Sequence, residues 1–282
     1  MKINFRKHFL MALLFLSGLC IHAKAPQGPE SISVVSFNIR MGEAKDGTNS
    51  WQLRCPATVY MLDEELPDVF GLQEAYPYQV KFITENCMQY EAYGVGRENG
   101  KKQGEQTAIV YNKKKIALLK KGTFWLSETP DKPSIGWDAA CKRTATWAIM
   151  KDKKSGKKFF FLNTHLDHVG SVAREKGLEL ILDKISELNT QSLPVVITGD
   201  MNVTPDNTSL RPLNENMKCC RLHAKETDHG ATFNAWGRKS TVIDYIYFNG
   251  FRECSKFKII NKKYGKIPFI SDHYPIKAEL IF

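Results

Sequence analysis

Along this chain, short apolar runs end abruptly in polar clusters that could do chemistry. Val69-Phe70-Gly71-Leu72 runs into Gln73-Glu74, and Phe159-Phe160-Phe161-Leu162 into Asn163-Thr164-His165-Leu166-Asp167-His168. Val195-Val196-Ile197 leads to Thr198-Gly199-Asp200-Met201-Asn202, and near the C-terminus Ile270 precedes Ser271-Asp272-His273. Unbroken apolar runs this short read as strands buried on both faces. Several of them delivering oxygen and imidazole groups to one edge of a sheet build a site from the loops there.

The remaining pattern fills in the elements. Ser33–Ile39 reads as the first strand, followed by a helix from Pro56, at its first position, to Leu66 before Pro67. Asp68–Leu72 is a short buried strand. Pro77 opens a second helix with Val80, Ile83, Cys87 and Met88 inward. Between residues 93 and 150 the pattern turns β-like, with Thr107–Tyr111 and Ile116–Leu119 flanking a lysine-rich turn and aromatic segments around Trp125 and Trp147. Ser171–Leu188 is the longest helix, and Val195–Thr198, Val242–Phe248 and Ile276–Ile281 are further strands. Alternating helices and strands with a meandering middle fit two packed sheets with helices outside better than a parallel doubly wound sheet. No linker or repeat divides the chain, so one domain is expected.

The first residues read differently. Lys2, Arg6 and Lys7 precede an apolar run from Phe9 to Leu19, and Ala23 and Ala25 follow in an A-x-A arrangement. This is the three-part pattern of a secretory signal, too short to span a bilayer. Residues 1–23 are read as a leader cleaved after Ala23 or Ala25, with a domain over 30–282 exported to the periplasm or the medium. Cys20 offers lipoprotein anchoring as the alternative, which the bulky Leu19 before it disfavours. No stable membrane span is expected, and the protein is read as a monomer.

Export changes the charge argument, since the formal +10 falls to +7 without Lys2, Arg6 and Lys7. Much of the remainder sits in Lys113–Lys115, Lys120-Lys121 and the Lys151–Lys158 stretch. These are either solvated turns and protected strand edges or a surface favouring polyanions such as nucleic acid or anionic lipid. Six cysteines remain (Cys55, Cys87, Cys141, Cys219, Cys220 and Cys254), enough for one or two disulfides in an oxidising compartment. The lack of a C-x-x-C pair removes thioredoxin-like and zinc-ribbon readings.

Asp200 and Asn202 are two apart, so an extended segment places them on one face about 7 Å from each other. Such a pair can bracket one small group, the acid on a cation or water and the amide on a phosphoryl oxygen. An Asx turn is the plain alternative, given Gly199, Pro205 and Asp206. Asp244 lies inside Val242-Ile243-Asp244-Tyr245-Ile246, where an acid is costly to bury unpaired. A histidine partner would offset that cost and fix the ring; His273 is the expected partner and Arg143 the competing one. Histidine is also the side chain best poised for proton transfer near neutral pH. Glu74, with Asn38 at the end of the first strand, offers hard oxygen ligands of the kind Mg²⁺ or Mn²⁺ takes. A zinc site through His165 and His168 lacks an obvious third ligand.

Ser36-Phe37-Asn38, Gln73-Glu74, Asn163 to Leu166, Gly199 to Asn202, Ile243 to Ile246 and Ser271 to His273 together resemble the ordered motifs of the endonuclease/exonuclease/phosphatase superfamily. That group includes deoxyribonuclease I, exonuclease III, inositol polyphosphate 5-phosphatases and bacterial sphingomyelinases. The resemblance runs from about Ser33 to Phe282 and implies a four-layer α/β/β/α sandwich, two packed mixed sheets flanked by helices. It also implies hydrolysis of phosphate esters, dependent on one or two Mg²⁺ or Mn²⁺ ions, by in-line attack of water. Carried over by position, Glu74 is the principal metal ligand, with Asn38 and Asp272 near the metal. Asp200 contacts the attacking water or a second metal, Asn202 the phosphate, and His165 the phosphoryl oxygens. His273, oriented by Asp244, is general base or transition-state stabiliser.

Two positions depart from apurinic endonuclease relatives: Arg40 stands where they carry an acid and His165 where they carry a tyrosine. Both point towards the deoxyribonuclease I, sphingomyelinase and inositol phosphatase side. Stretches around Arg97, Trp137, Asp167, His168 and Arg174 are similar to a secreted bacterial branch and make these residues candidates for substrate contact. The expected activity is phosphodiester hydrolysis, with nucleic acid or nucleotides favoured by the basic charge. A lipid headgroup, inositol phosphate or other small phosphomonoester is the alternative substrate, and a catalytically inactive binding module the non-enzymatic reading.

Overall fold

Strands apolar on both faces need a covering layer on each side, and the chain supplies it with two stacked sheets and outer helices. The computed structural model describes residues 30–282; the leader and Cys20 lie outside the described residues. In chain order the elements are β1 (Ser31–Asn38), α1 (Trp51–Glu65), β2 (Val69–Gln73), α2 (Pro77–Asn86), β3 (Tyr90–Tyr93) and β4 (Ile109–Asn112). Next come β5 (Ile116–Trp125), β6 (Thr144–Asp152), β7 (Lys158–His165), α3 (Ser171–Leu188), β8 (Val195–Asp200) and α4 (Arg211–Asn216). The chain ends with β9 (Lys218–Cys219), α5 (Cys220–His223), β10 (Ala224–Thr227), β11 (Asp244–Asn249), β12 (Glu253–Ile259) and β13 (Ile276–Ile281).

A seven-stranded sheet has the order β10-β12-β13-β1-β2-β4-β3 and a six-stranded sheet the order β5-β6-β7-β8-β11-β9. Between them lie Val34, Val69, Phe159, Phe161, Val196 and Ile246. Phe160 and Leu162 alternate to the opposite face of β7 and pack with Leu178, Ile181 and Ile185 of α3. Phe37 and Phe70 pack outward against Met61 and Leu62 of α1 and Ile83 of α2. The two mixed sheets flanked by helices are the architecture expected from the motifs.

Strand direction explains why the polar clusters share an edge. β1 runs parallel to β2, and β7 parallel to β8, so four strands end together. β13 is antiparallel to β1, and β11 to β8, so these two begin at the same edge. Behind it a polar network ties the sheets together. Asn163 donates to the carbonyls of Leu72 and Ala108 (2.8 and 3.1 Å) and accepts from Gln73 Nε2 (2.7 Å) and Thr198 Oγ1 (3.0 Å).

Several local expectations need correction. α1 begins at Trp51, so Pro56 lies inside it; the carbonyl that Pro56 cannot serve, that of Gln52, has the Cys55 thiol 3.7 Å away. α2 ends at Asn86, so Met88 falls beyond its apolar face and is 77% exposed. The six cysteines of the described region are all free. Among the described residues, no helix is long and apolar enough to cross a membrane.

Candidate active site

Asn38 closes β1 and has its amide between two acids, 3.0 Å from Glu74 Oε1 and 2.9 Å from Asp200 Oδ2. Its own oxygen accepts from Arg40 N at 3.0 Å. The second Glu74 oxygen takes Met41 N at 3.0 Å. Asp200 Oδ2 also lies 3.5 Å from His165 Nε2 and 3.7 Å from His273 Nε2. On the far side of its ring, His273 Nδ1 meets both oxygens of Asp244 at 3.1 and 2.9 Å, and Phe233 packs on the ring at 4.8 Å. The Asp244 pairing with His273 is thus formed, while the competing Arg143 turns to Asp167 and His168 (3.5 and 3.1 Å). Asn202 donates to His165 Nε2 and to the Leu166 carbonyl, both at 3.0 Å. Arg40, Glu74 and Asn202 follow strand ends with φ of 60°, 58° and 55°, a left-handed backbone held at some cost in strain.

Burial and charge then set the ionisation states. Burial, then the charge of Asp244, pushes Asp200 up to about 7. For His273 burial opposes protonation, but the charge and hydrogen bond of Asp244 prevail and lift it to about 10. Burial, reinforced by Arg143 and Arg97, holds His165 well below its usual range and so neutral. Burial works against ionised Glu74 too, yet hydrogen bonds from Asn38 and Met41 keep it below the ordinary carboxylate value. Asp272 is raised chiefly by burial.

The donor set fits a hard divalent cation. Glu74 and Asp272 both approach the Arg40 guanidinium, at 3.9 and 3.8 Å, too far for it to hydrogen-bond either carboxylate. Asp200, Asp244 and His273 also bring ligand atoms within 4.8 Å of one another. There, however, the nitrogen facing Asp244 is already engaged, so Asp244 and His273 form a hydrogen-bonded pair with Asp200 3.7 Å from the other ring nitrogen.

Residues 35–273 match the Endonuclease/Exonuclease/phosphatase family. The chain belongs to this family. A solved family protein from Bacteroides vulgatus is 35% identical with a TM-score of 0.85, covering 89% of this chain and 98% of that one. The mannosyl-6-phosphatase of Bacteroides thetaiotaomicron is 33% identical with a TM-score of 0.85, covering 89% of this chain and 100% of that one. An uncharacterized protein from Acanthamoeba polyphaga mimivirus is 27% identical over 165 residues, 54% of this chain and 59% of that protein.

Within this family frame the five candidate substrate-contact residues separate. Arg97 reaches the cleft beside Glu74 and His165. His168 is exposed, its Nδ1 on Arg143. Trp137 is half-buried with φ of 48°, its N–H directed at Glu128. Asp167 and Arg174 turn inward instead. Asp167 is buried and accepts from the N–H groups of Val169 and Gly170 (2.9 and 2.8 Å); burial opposes its ionisation, but these bonds lower it to about 2. Arg174 donates to the Asp167 carbonyl at 3.0 Å, which bolts this loop to α3.

Two groups near the site were not anticipated from sequence: Arg54, buried behind it, and Glu105, which lines the cleft. Arg143, expected only as a competing partner of Asp244, lines the cleft as well. Arg54 lies at helical spacing between Trp51 and Thr58, both buried, and that periodicity was the available signal.

Proposed function

We propose that this protein is a phosphoesterase that uses Mg²⁺ or Mn²⁺ and hydrolyses a small phosphate monoester by in-line attack of water. What supports the reaction is the convergence on one oxygen, Asp200 Oδ2, of groups from three chain segments: Asn38, His165 and His273. Glu74 and Asp272 would hold the ion, which when bound withdraws charge from the phosphoryl oxygens. Asp200, with its pKa near neutrality, takes the proton of the attacking water. His273 is protonated at neutral pH, so it acts as a charge stabiliser and proton donor rather than a base. His165 and Asn202 contact the non-bridging oxygens. Export rests on the leader in residues 1–23.

The monoester preference is supported by the likeness to a mannosyl-6-phosphatase. The basic charge that favoured nucleic acid loses weight because of where it sits. Lys113–Lys115 occupy the β4–β5 turn and Lys153, Lys154 and Lys157 the β6–β7 turn, at the edge opposite the site.

The test is a panel of p-nitrophenyl phosphate, mannose 6-phosphate, DNA, RNA and sphingomyelin, with Mg²⁺, with Mn²⁺ and with EDTA. Phosphate release from the monoesters that EDTA abolishes is the expected result. His273→Ala and Asp200→Asn should each lower kcat by about 10²–10⁴-fold. Metal-independent turnover, or a wild-type rate in either variant, would overturn the assigned roles, and binding without turnover would support an inactive module.

A further inference from the structure

The cleft beside Glu74 and His165 carries two guanidinium groups that the reaction just described does not use. Arg97 sits on the connection between β3 and β4. Its backbone is fixed by hydrogen bonds from Arg97 N to the Glu105 carbonyl (2.9 Å) and from Trp125 Nε1 to its own carbonyl (2.8 Å). The neighbouring Gly96 is packed so tightly that a Cβ there would lie 2.1 Å from the Gln103 carbonyl oxygen. Arg143 comes from the other sheet, immediately before β6, and is 6% exposed. Glu105 holds one arm of Arg97 at 2.8 Å, and His168 holds one arm of Arg143 at 3.1 Å. Both guanidinium groups are only partly used: Nε of Arg97 has Glu98 and Nε of Arg143 has Asp167 as ion-pair neighbours, each at 3.5 Å, but neither Nε makes a hydrogen bond. A buried N–H that makes no hydrogen bond is costly unless a ligand oxygen meets it.

We infer that Arg97 and Arg143 form a recess that reads the extra negative charge and third non-bridging oxygen of a terminal phosphate, so that the enzyme selects monoesters over diesters. The inference rests on the phosphoesterase reading above and deepens it. Arginine is suited to this task, since its planar fork matches phosphate oxygens and its charge is permanent. His165, between these arginines and Asp200, is neutral and adds no charge of its own. A monoester dianion brings one more charge than a diester, and the two guanidinium groups can meet it although Glu105 and Asp167 already offset part of their charge. Burial raises the Glu105 carboxyl, which weakens that offset. Shape acts in the same direction: the recess is also lined by Gln106, Thr107 and Thr144, all buried, and its volume is only about 10 Å³. Space of that size takes a single oxygen but not a second esterified alcohol.

The readout is the ratio of kcat/KM for p-nitrophenyl phosphate to that for bis(p-nitrophenyl) phosphate, with Mg²⁺ present. Arg97→Gln should lower this ratio by about 10–100-fold, the range set by losing one hydrogen bond to a charged group, and Arg97→Lys should recover part of it. Inorganic phosphate should bind more weakly to Arg97→Gln by calorimetry. An unchanged ratio, with both substrates slowed alike, would overturn the inference and leave Arg97 a purely structural residue. If the wild type hydrolyses neither ester with Mg²⁺ or Mn²⁺, the proposed function fails on its own. Weakened phosphate binding in Arg97→Gln would still support the recess in that event, and unaltered binding would overturn it.

Discussion

Replacing Arg54 with methionine tests how the two halves of the site are held in register. Arg54 projects from α1 into the interior, where it is 1% exposed and hydrogen-bonds only main-chain carbonyls. These belong to Asn49 (3.0 Å), Ile39 (2.5 Å), Ile270 (2.9 Å) and Arg40 (2.9 Å). The rings of Trp51 and Trp236 flank it at 5.2 and 5.6 Å. Ile39 and Arg40 directly follow Asn38, and Ile270 comes two residues before Asp272. One cation therefore joins the segments carrying Asn38 and Asp272, and its charge sits behind the two carboxylates proposed to hold the metal.

The magnitude follows from opposing terms. Burial lowers the Arg54 pKa from 12.5 to about 10, so carrying the charge costs about 3 kcal/mol, which methionine removes. Against this, the Ile39 and Ile270 carbonyls lose their donor deep in the protein, at about 1–3 kcal/mol each, and the two ring contacts go as well. Arg40 is less affected, because its carbonyl keeps Gln79 Nε2 at 3.0 Å. The balance is a loss of about 1–4 kcal/mol, readable as a lower urea midpoint. Catalysis should suffer more than stability. With Asn38 and Asp272 no longer tied, a displacement of about 1 Å is worth about 10²-fold in rate. The assay is kcat titrated against Mg²⁺, alongside the unfolding curve. A variant with a lowered urea midpoint whose kcat stays within twofold of wild type would show that Arg54 supports the fold and not the site.

Other perturbations follow from the same contacts. In metal-free protein the His273 proton stabilises the fold fully below its ordinary value of 6.5 and ceases to do so as pH rises through about 10. Asp244→Asn should therefore flatten the decline of the urea midpoint across that window, and a wild-type slope would count against the pair. Gly71→Ala would set a Cβ 2.3 Å from both Asn163 Oδ1 and Thr198 Oγ1, so it should cost about 1–3 kcal/mol by urea unfolding; a neutral result would mean the polar layer can yield. Asp138 caps α3 from 34 residues away, accepting from Val172 N at 3.2 Å and Ala173 N at 2.6 Å. Asp138→Ala should cost about 1 kcal/mol and speed amide exchange in the first turn of α3, and unaltered exchange there would refute the cap.

Much of the site could be read from sequence because it obeys a local rule: an apolar run, then the polar residue its strand delivers. Glu74, His165 and Asp200 all follow that rule. Asp244 was legible for the opposite reason, as an acid misplaced in an apolar strand. α1 was harder. Its buried stripe, Trp51, Arg54, Thr58, Met61 and Glu65, keeps helical spacing, but two of its members are charged. A reading keyed to hydrophobicity therefore started the helix five residues late, at a proline the helix tolerates. Those charges find partners only in the fold, Arg54 as a donor to main-chain carbonyls and Glu65 as an ion pair with Lys258 at 2.6 Å.

The cleft residues show why the rest was out of reach. Arg143 precedes β6, which is antiparallel to β7, with Ala145 opposite Thr164. It therefore enters at the same edge where β7 leaves with His165. Topologically it is the counterpart of Asp244 and His273, which stand at or before antiparallel strands. Nothing in its local sequence, Lys142-Arg143-Thr144, distinguishes it from a solvated basic pair. Arg97 reaches the same recess on a loop whose course is set by Trp125 and Gly96. Strands that leave the edge announce their cargo by the apolar run before it. Strands that arrive carry theirs in a loop, and only pairing between sheets reveals the destination. The residues proposed to discriminate among substrates fall in this second class, whereas most of those assigned to the reaction fall in the first. On this topology, chemistry is more legible than specificity.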